Sequence, residues 1–216
     1  MFKRYKIEFM IPLFPLQIVV FPEEMINLHI FEPKYRQLVR DCMSDGLSFG
    51  IVPFINGAIQ KVGTLMQINS IEKTYEDGRM DIKTQSKGLF EIEELFKPYP
   101  GKLYAGAKVR KFENEDNGDP QLSRQIYNQL SEVFQILNIS KKLKPVELFE
   151  TYQIGHYLGF KLEEEYQLLS IPSEYDRQIV VLHQLQKILP NVKMTASIKR
   201  KALMNGEFRE IIPPEI

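Results

Sequence analysis

Residues 11–42, IPLFPLQIVVFPEEMINLHIFEPKYRQLVRDC, constrain the fold of this chain more than any other segment. The apolar run 17–21 is closed by Pro22, which cannot donate to a sheet ladder, so the run predicts a strand and its end. Residues 25–31 alternate apolar and polar side chains, as a half-buried strand does. Pro33 suits the first position of a helix, where the backbone N–H has no partner in any case. We therefore expect two strands followed by a helix.

The predicted helix has one apolar stripe and a defined end. Tyr35, Leu38, Val39 and Cys42 recur at helical spacing, and Ser-Asp-Gly at 44–46 supplies the stop signal. Cys42 is the only cysteine, so an internal disulfide is excluded. Its position on the apolar stripe predicts a buried, reduced thiol, which suits the cytosol.

Turn signals divide the segment after this helix into further strands. Asn56-Gly57 accepts positive φ at both positions, and Glu-Asp-Gly at 76–78 predicts a second hairpin. Gly63 and Gly88 lie inside strand-like runs and predict bulges, which help a small sheet to curl. We expect an antiparallel sheet that curls into a partly closed barrel.

Residues 11–42 closely resemble the opening of the Lon protease N-terminal domain family. The sequences VGT at 62–64, SKGLFEI at 86–92 and LYAGAKV at 103–109 are similar to its later strands, and parts of 152–177 are similar to its helices. The resemblance implies an α+β fold, with an N-terminal PUA-like β pseudo-barrel carrying one helix, followed by a C-terminal helical bundle. It also implies a domain that binds substrates and carries no chemistry of its own.

The chain divides into four predicted parts. These are a β subdomain at 1–112, an acidic linker at 113–119, a helical bundle at 120–190 and a basic amphipathic tail at 191–216. The expected role of the tail is a last helix docked on the bundle with its lysines in water, and the alternative is a site for an acidic partner or nucleic acid.

The helical part contains clear start and stop signals. Asp119 and Pro120 predict a helix start, and a second helix is expected from Pro145 to Gly159. Ser173 predicts the cap of the last helix, whose expected end is Pro190. The side chains expected to face inward are Leu122, Ile126, Leu130, Val133 and Leu137 in the first helix, and Tyr175, Ile179, Leu182 and Leu185 in the last.

Charge and hydropathy exclude several classes of protein. Lysine plus arginine and aspartate plus glutamate number 28 each, so the net charge is zero and there is no general attraction to phosphate backbones or anionic lipid. No run of 18 apolar residues occurs, and the basic start at residues 3–6 lacks the features of a signal peptide. We expect a cytoplasmic protein without a membrane or nucleic-acid partner.

The sequence offers no catalytic or metal-binding constellation. A phosphate-binding G-x-x-x-x-G-K-[ST] loop is absent, which excludes a typical ATPase module, and a chance Ser-Lys pair carries no weight. His29, His156 and His183 lie on separate predicted elements without metal-ligand spacing. We therefore expect no enzyme activity, no metal and no cofactor.

Four residues at the predicted strand-to-helix corner are the candidate polypeptide-binding site: Phe31, Glu32, Tyr35 and Arg36. Glu32 and Arg36 are four residues apart, and the structural interpretation is a salt bridge that holds the corner. The two aromatic residues are expected in the core unless an exposed apolar patch surrounds them.

Three functions are compatible with the sequence. The leading hypothesis is a non-catalytic module that binds unfolded or degron-bearing polypeptides, by a groove or by strand addition, with a separate protease as a further partner. The first alternative is an RNA-binding module of the PUA-like kind, against which the neutral charge argues. The second is a chain that resembles an ATP-dependent protease without having its activity.

Overall fold

A computed structural model describes residues 8–207 of the chain. The chain forms two compact units. Of the described residues, the sheet unit contains 8–115, 152–156 and 160–172, and the helical unit contains 116–151, 157–159 and 173–207. The elements are β1 Glu8–Leu16, β2 Met25–Ile30, α1 Pro33–Asp45, β3 Phe49–Ile55, β4 Ala58–Ile59, β5 Val62–Thr74, β6 Met80–Phe96, β7 Ala105–Lys111, α2 Pro120–Leu137, 3₁₀ helices at Val146–Leu148 and Thr151–Tyr157, α3 Leu162–Leu169 and α4 Glu174–Glu207.

Strand pairing closes a ring in the sheet unit. The order is β1-β7-β6-β5-β3, and β3 pairs in parallel with β1 to complete the ring, whereas the other pairs are antiparallel. The inside of the ring is filled by a buried cluster around the Phe90 ring. The PUA-like classification of this sheet remains a prediction.

The second half of β5 and the first half of β6 extend beyond the ring, and there β6 also pairs with β2. In this three-stranded extension, β6 is the central strand and β2 and β5 are the outer strands. Helix α1 covers one face of the extension, because Tyr35, Leu38, Val39 and Cys42 are all buried as predicted and share a core cluster with Ile82. Gly46 ends α1 in the left-handed conformation, with φ 66°.

The predicted strand at 17–21 is wrong. The strand lies earlier, at Glu8–Leu16, and the following residues are irregular although Val19, Val20 and Phe21 are buried. Side chains satisfy backbone groups of this segment in place of a sheet ladder. The Phe21 N–H donates to the carboxylate of Glu24 at 2.9 Å, and the Thr64 hydroxyl donates to the carbonyl of Val20.

The two strand glycines have different roles. Gly88 forms the predicted bulge, with φ 130° and a register shift between Leu65 and Met66 on β5. Gly63 forms no bulge, because it pairs regularly with Phe90. A Cβ at Gly63 would lie 2.6 Å from Val52 and 2.7 Å from the Phe90 ring. Close packing, not strand curvature, therefore requires glycine at position 63.

The helical unit begins as predicted but diverges after α2. The Asp119 side chain caps α2 by accepting from the N–H groups of Gln121 and Leu122, and Pro120 is at the first helical position. Phe134 replaces Leu137 on the buried stripe, and Leu137 is 51% exposed. None of the helices described for residues 8–207 is long and apolar enough to cross a bilayer.

The single helix predicted between Pro145 and Gly159 is wrong. The segment forms two 3₁₀ helices separated by extended residues Phe149 and Glu150. The Thr151 N–H donates to the Glu174 carboxylate at 2.9 Å, so a buried side chain accepts the hydrogen bond that a helical carbonyl would otherwise accept.

The predicted end of the last helix at Pro190 is also wrong. Helix α4 continues through Pro190 to Glu207. Its buried face includes Leu185 as predicted, but in the first turns it is rotated from the predicted face. Tyr175 and Ile179 are 44% and 45% exposed, whereas Arg177, Gln178 and Val181 are buried.

A hydrogen-bonded polar network explains this rotation. Arg177 donates to Glu174 through Nη2 at 2.7 Å and through Nε at 2.9 Å, and both side chains are almost fully buried. Gln178 donates to the Ser123 hydroxyl at 2.8 Å and accepts from the Asp119 N–H at 2.8 Å. Hydropathy assigns such residues to the surface, but partnered polar groups are stable inside.

Candidate functional site

The corner between β2 and α1 separates the two aromatic residues of the predicted site. Phe31 is 59% exposed. Tyr35 is 8% exposed and stacks on Phe14, with ring centroids 3.9 Å apart. Burial raises the pKa of the Tyr35 hydroxyl. The ring of Phe31 is therefore available to a partner, while that of Tyr35 supports the core.

The predicted salt bridge between Glu32 and Arg36 is wrong. Glu32 pairs with Lys34 at 2.8 Å, and this hydrogen bond raises the pKa of Lys34. Arg36 donates from Nη1 to the carbonyl oxygen of Asp77 at 2.6 Å. The corner is therefore held to the turn between β5 and β6, a contact across 41 residues that helical spacing does not predict.

Phe31 continues an exposed, mainly polar face of β2. His29 Nδ1 lies 2.6 Å from Asp81 Oδ1, and the Tyr75 hydroxyl donates to the same carboxylate at 2.7 Å. These hydrogen bonds lower the pKa of Asp81, and the bond to Asp81 raises the pKa of Tyr75. The rings of His29 and Phe31 stack with centroids 6.2 Å apart. This face therefore carries exposed aromatic rings, and its Asp81 carboxylate is hydrogen-bonded to His29 and Tyr75.

The other face of β2 is apolar and incompletely covered. Ile30 is buried, whereas Ile26 and Leu28 are half-buried and pack at the margin of the core cluster. Met25, at the start of the strand, lies on the opposite face with Asn27 and His29 and is 76% exposed. Apolar side chains thus reach solvent along the outer edge of β2, which a partner with apolar residues can cover.

The segment that leads into β2 is held by His156. The imidazole Nε2 lies 3.1 Å from Glu24 Oε1, and Nδ1 lies 2.8 Å from Glu165 Oε1. The Phe21 ring packs on the same imidazole, with centroids 4.9 Å apart. The hydrogen bond to Glu24, followed by that to Glu165, raises the pKa of His156 to about 9 against the opposing effect of burial. His156 is therefore a structural residue that carries charge at neutral pH.

We expect His156 to make the stability of the protein depend on pH. A folded pKa of about 9 exceeds the ordinary 6.5, so the stabilisation is complete below pH 6.5 and is lost as pH rises through about 9. Because the ring is partly exposed, solvent screening limits the effect to about 1 kcal/mol. Urea unfolding of the wild type and of His156→Gln should differ by this amount at about pH 6 and converge at about pH 10. If the two proteins differed in unfolding free energy by the same amount over this whole pH range, the raised pKa of His156 would be contradicted.

The described residues provide no metal-binding cluster, because no group of three His, Cys, Asp or Glu side chains in residues 8–207 is arranged to hold a metal ion. The third histidine, His183, is exposed on α4. Cys42 is buried in the core, and burial raises the pKa of its thiol to about 12, so the thiolate is not formed at neutral pH.

Comparison with known proteins identifies the family. Residues 10–187 match the family model of the ATP-dependent protease La (LON) substrate-binding domain. The chain belongs to this family. No curated protein matches the chain significantly.

Solved structures share the fold. A Lon N-terminal domain protein from Xanthomonas campestris is similar over 81% of this chain and 98% of its own, with a TM-score of 0.62 and 22% identity. The N-terminal domain of a Mycobacterium avium complex Lon protease is similar over 82% of this chain and 98% of its own, with a TM-score of 0.66 and 13% identity. At these identities the similarity concerns the fold.

Proposed function

We propose that this chain is a non-catalytic substrate-recognition module, which binds unfolded or degron-bearing polypeptides and presents them to a separate protease. Membership of a family of substrate-binding domains supports the recognition role. The location that we propose is the outer edge of β2 together with Phe31. Contacts of Glu32, Tyr35 and Arg36 with a client remain a prediction.

The observation that carries this proposal is the open edge of β2. Among the strands described in residues 8–207, β2 pairs with β6 alone. Alternate N–H and C=O groups along the outer side of such a strand have no ladder partner, and an extended polypeptide satisfies them by adding a strand. Main-chain hydrogen bonds do not depend on the client sequence, which suits a module that accepts many clients.

The β2 edge also lacks the usual protection against strand addition. Its sequence, MINLHI, contains no lysine, arginine, acid or proline. The opposite edge of the extension, in β5, carries Glu72 and Lys73 and two register shifts after Ile68. Charges and bulges are the features by which edge strands avoid pairing with other chains. The contrast favours β2 as the edge that accepts a client.

A single edge of this length predicts weak binding. Each client loses conformational freedom when one of its segments is ordered, and one copy of the module gains no avidity. We expect micromolar or weaker affinity for the isolated chain. Assembly with a protease that carries several such modules would raise the effective affinity without any new contact.

Fluorescence anisotropy tests the proposal. A labelled client protein, kept unfolded by reduction and carboxymethylation, is titrated with this chain. We expect saturable binding that Met25→Lys weakens at least about fivefold, because it adds a desolvation cost and removes an exposed apolar side chain at the edge. Asn69→Lys is the matched control, since Asn69 is exposed on the opposite edge strand. Circular dichroism confirms that both variants fold.

Two results would contradict this function. Absence of binding up to high micromolar protein would exclude a client-binding module of this kind. Equal loss of affinity in Met25→Lys and Asn69→Lys would show that added charge, not the β2 edge, determines binding.

A further inference from the structure

We propose that the β2 edge selects polypeptide segments in which apolar residues recur at every second position. This inference rests on the proposed function and specifies the class of client. The relevant observation is the difference between the two faces of the three-stranded extension, which the strand register defines residue by residue.

Direct cross-strand partners share a face of a sheet. The register therefore places three apolar rows on one face and three mainly polar rows on the other. The apolar rows are Ile26–Thr84–Ile68, Leu28–Ile82–Ile71 and Ile30–Met80–Thr74, and the polar rows are Met25–Gln85–Gln67, Asn27–Lys83–Ser70 and His29–Asp81–Lys73.

Burial is unequal across the apolar rows. The central residues Ile82 and Thr84 are 1% and 0% exposed, whereas Ile26 and Leu28 on β2 remain half-buried. Among the strands described in residues 8–207, none pairs with the outer side of β2, so the apolar layer of this sheet ends at β2. A client strand beside β2 would place every second side chain in line with Ile26 and Leu28, so apolar residues at these positions extend the layer and lose contact with water.

The remaining client side chains would lie on the polar face. There they meet Asn27 and His29, which are exposed, and the Asp81 carboxylate is already bonded to His29. Apolar client residues beside Asn27 and His29 would stay in contact with water, so they gain less from binding than those beside Ile26 and Leu28. A client with its apolar residues in one continuous run would place half of them on this face, and it would bind more weakly than an alternating client of the same composition.

The length of β2 sets the length of the recognised segment. The strand has six residues, which corresponds to about 20 Å of extended chain. A segment of about six residues is long enough to pair with the whole edge. Such segments belong to the strands of folded proteins, where one face is buried, and they become accessible when those proteins unfold.

Two labelled peptides of about ten residues test the inference. Both contain the same valine, isoleucine, serine and threonine residues, alternating in one peptide and in an apolar block followed by a polar block in the other. By anisotropy titration of the full chain, we expect the alternating peptide to bind about tenfold more tightly. Leu28→Thr should remove most of this preference while keeping strand propensity, and Asn27→Thr, on the polar face, should retain it.

The outcomes separate this inference from the proposed function. Equal affinity for the two peptides, with the unfolded protein still bound, would overturn the pattern preference and leave strand addition intact. Absence of binding for both peptides and for the unfolded protein would reject the proposed function itself. Full preference in Leu28→Thr, with thermal unfolding confirming that the variant is folded, would show that the apolar face of β2 does not select the client.

Discussion

Replacing Arg177 by methionine is expected to lower the free energy of unfolding by about 3–5 kcal/mol. The guanidinium is 1% exposed and donates to Glu174 at 2.7 and 2.9 Å and to the Thr151 hydroxyl at 3.2 Å. Without it, the Glu174 carboxyl group would lose its cationic partner in a buried site and keep the Thr151 donors as its described partners. Urea unfolding followed by circular dichroism measures the loss.

The double variant Glu174→Gln/Arg177→Met is the matched control. The glutamine carbonyl oxygen still accepts from the Thr151 N–H, which Glu174 accepts from at 2.9 Å, and no buried charge remains. We therefore expect the double variant to be more stable than Arg177→Met alone, because the unpaired charge is the main cost. A loss below about 1 kcal/mol for Arg177→Met, the range of exposed pairs, would show that water reaches this pair.

Replacing Phe90 by alanine is expected to cost about 3–5 kcal/mol of stability, because it removes a large ring from the packed interior and leaves a cavity. Phe90 is 0% exposed and belongs to the cluster inside the strand ring, with Ile11, Leu13 and Val52 among its members. Two glycines, Gly50 and Gly63, leave the space that the aromatic ring of Phe90 fills. A Cβ atom at either position would lie within 2.7 Å of this aromatic ring.

Phe31→Ala is the matched control for this prediction, because the same atoms are removed from a side chain that is 59% exposed. We expect a change within about 0.5 kcal/mol, as for other surface substitutions. Thermal or urea unfolding of the two variants measures the contrast. Equal losses would contradict the assignment of Phe90 to the core and Phe31 to the surface.

Local signals in the sequence predicted the elements that depend on a few neighbouring residues. Pro33 and Gly46 bound α1, and Asp119 caps α2, as their chemistry requires. Asn56 and Gly57 both have positive φ, at 51° and 79°. Each of these features is determined by the conformational preference of one residue or by a hydrogen bond within one turn, so the sequence suffices.

Several errors occurred where a distant residue supplies the partner. Arg36 bonds to Asp77 instead of Glu32, and Thr151 bonds to Glu174, which interrupts the predicted helix. His156 contacts Glu24 across 132 residues. A buried polar residue is stable only with such a partner, and one sequence does not reveal which residue will be near.

The candidate site likewise combines features that neighbouring residues determine with features that distant residues determine. The sequence by itself determined that β2 is an alternating strand followed by a helix corner, because periodicity and proline geometry are local properties. Tertiary structure decided that β2 pairs with β6 alone among the described strands, that Phe31 is exposed and that Tyr35 is buried. Strand order and burial depend on how distant segments pack, and these interactions turn one apolar strand into an interior strand and another into an open edge.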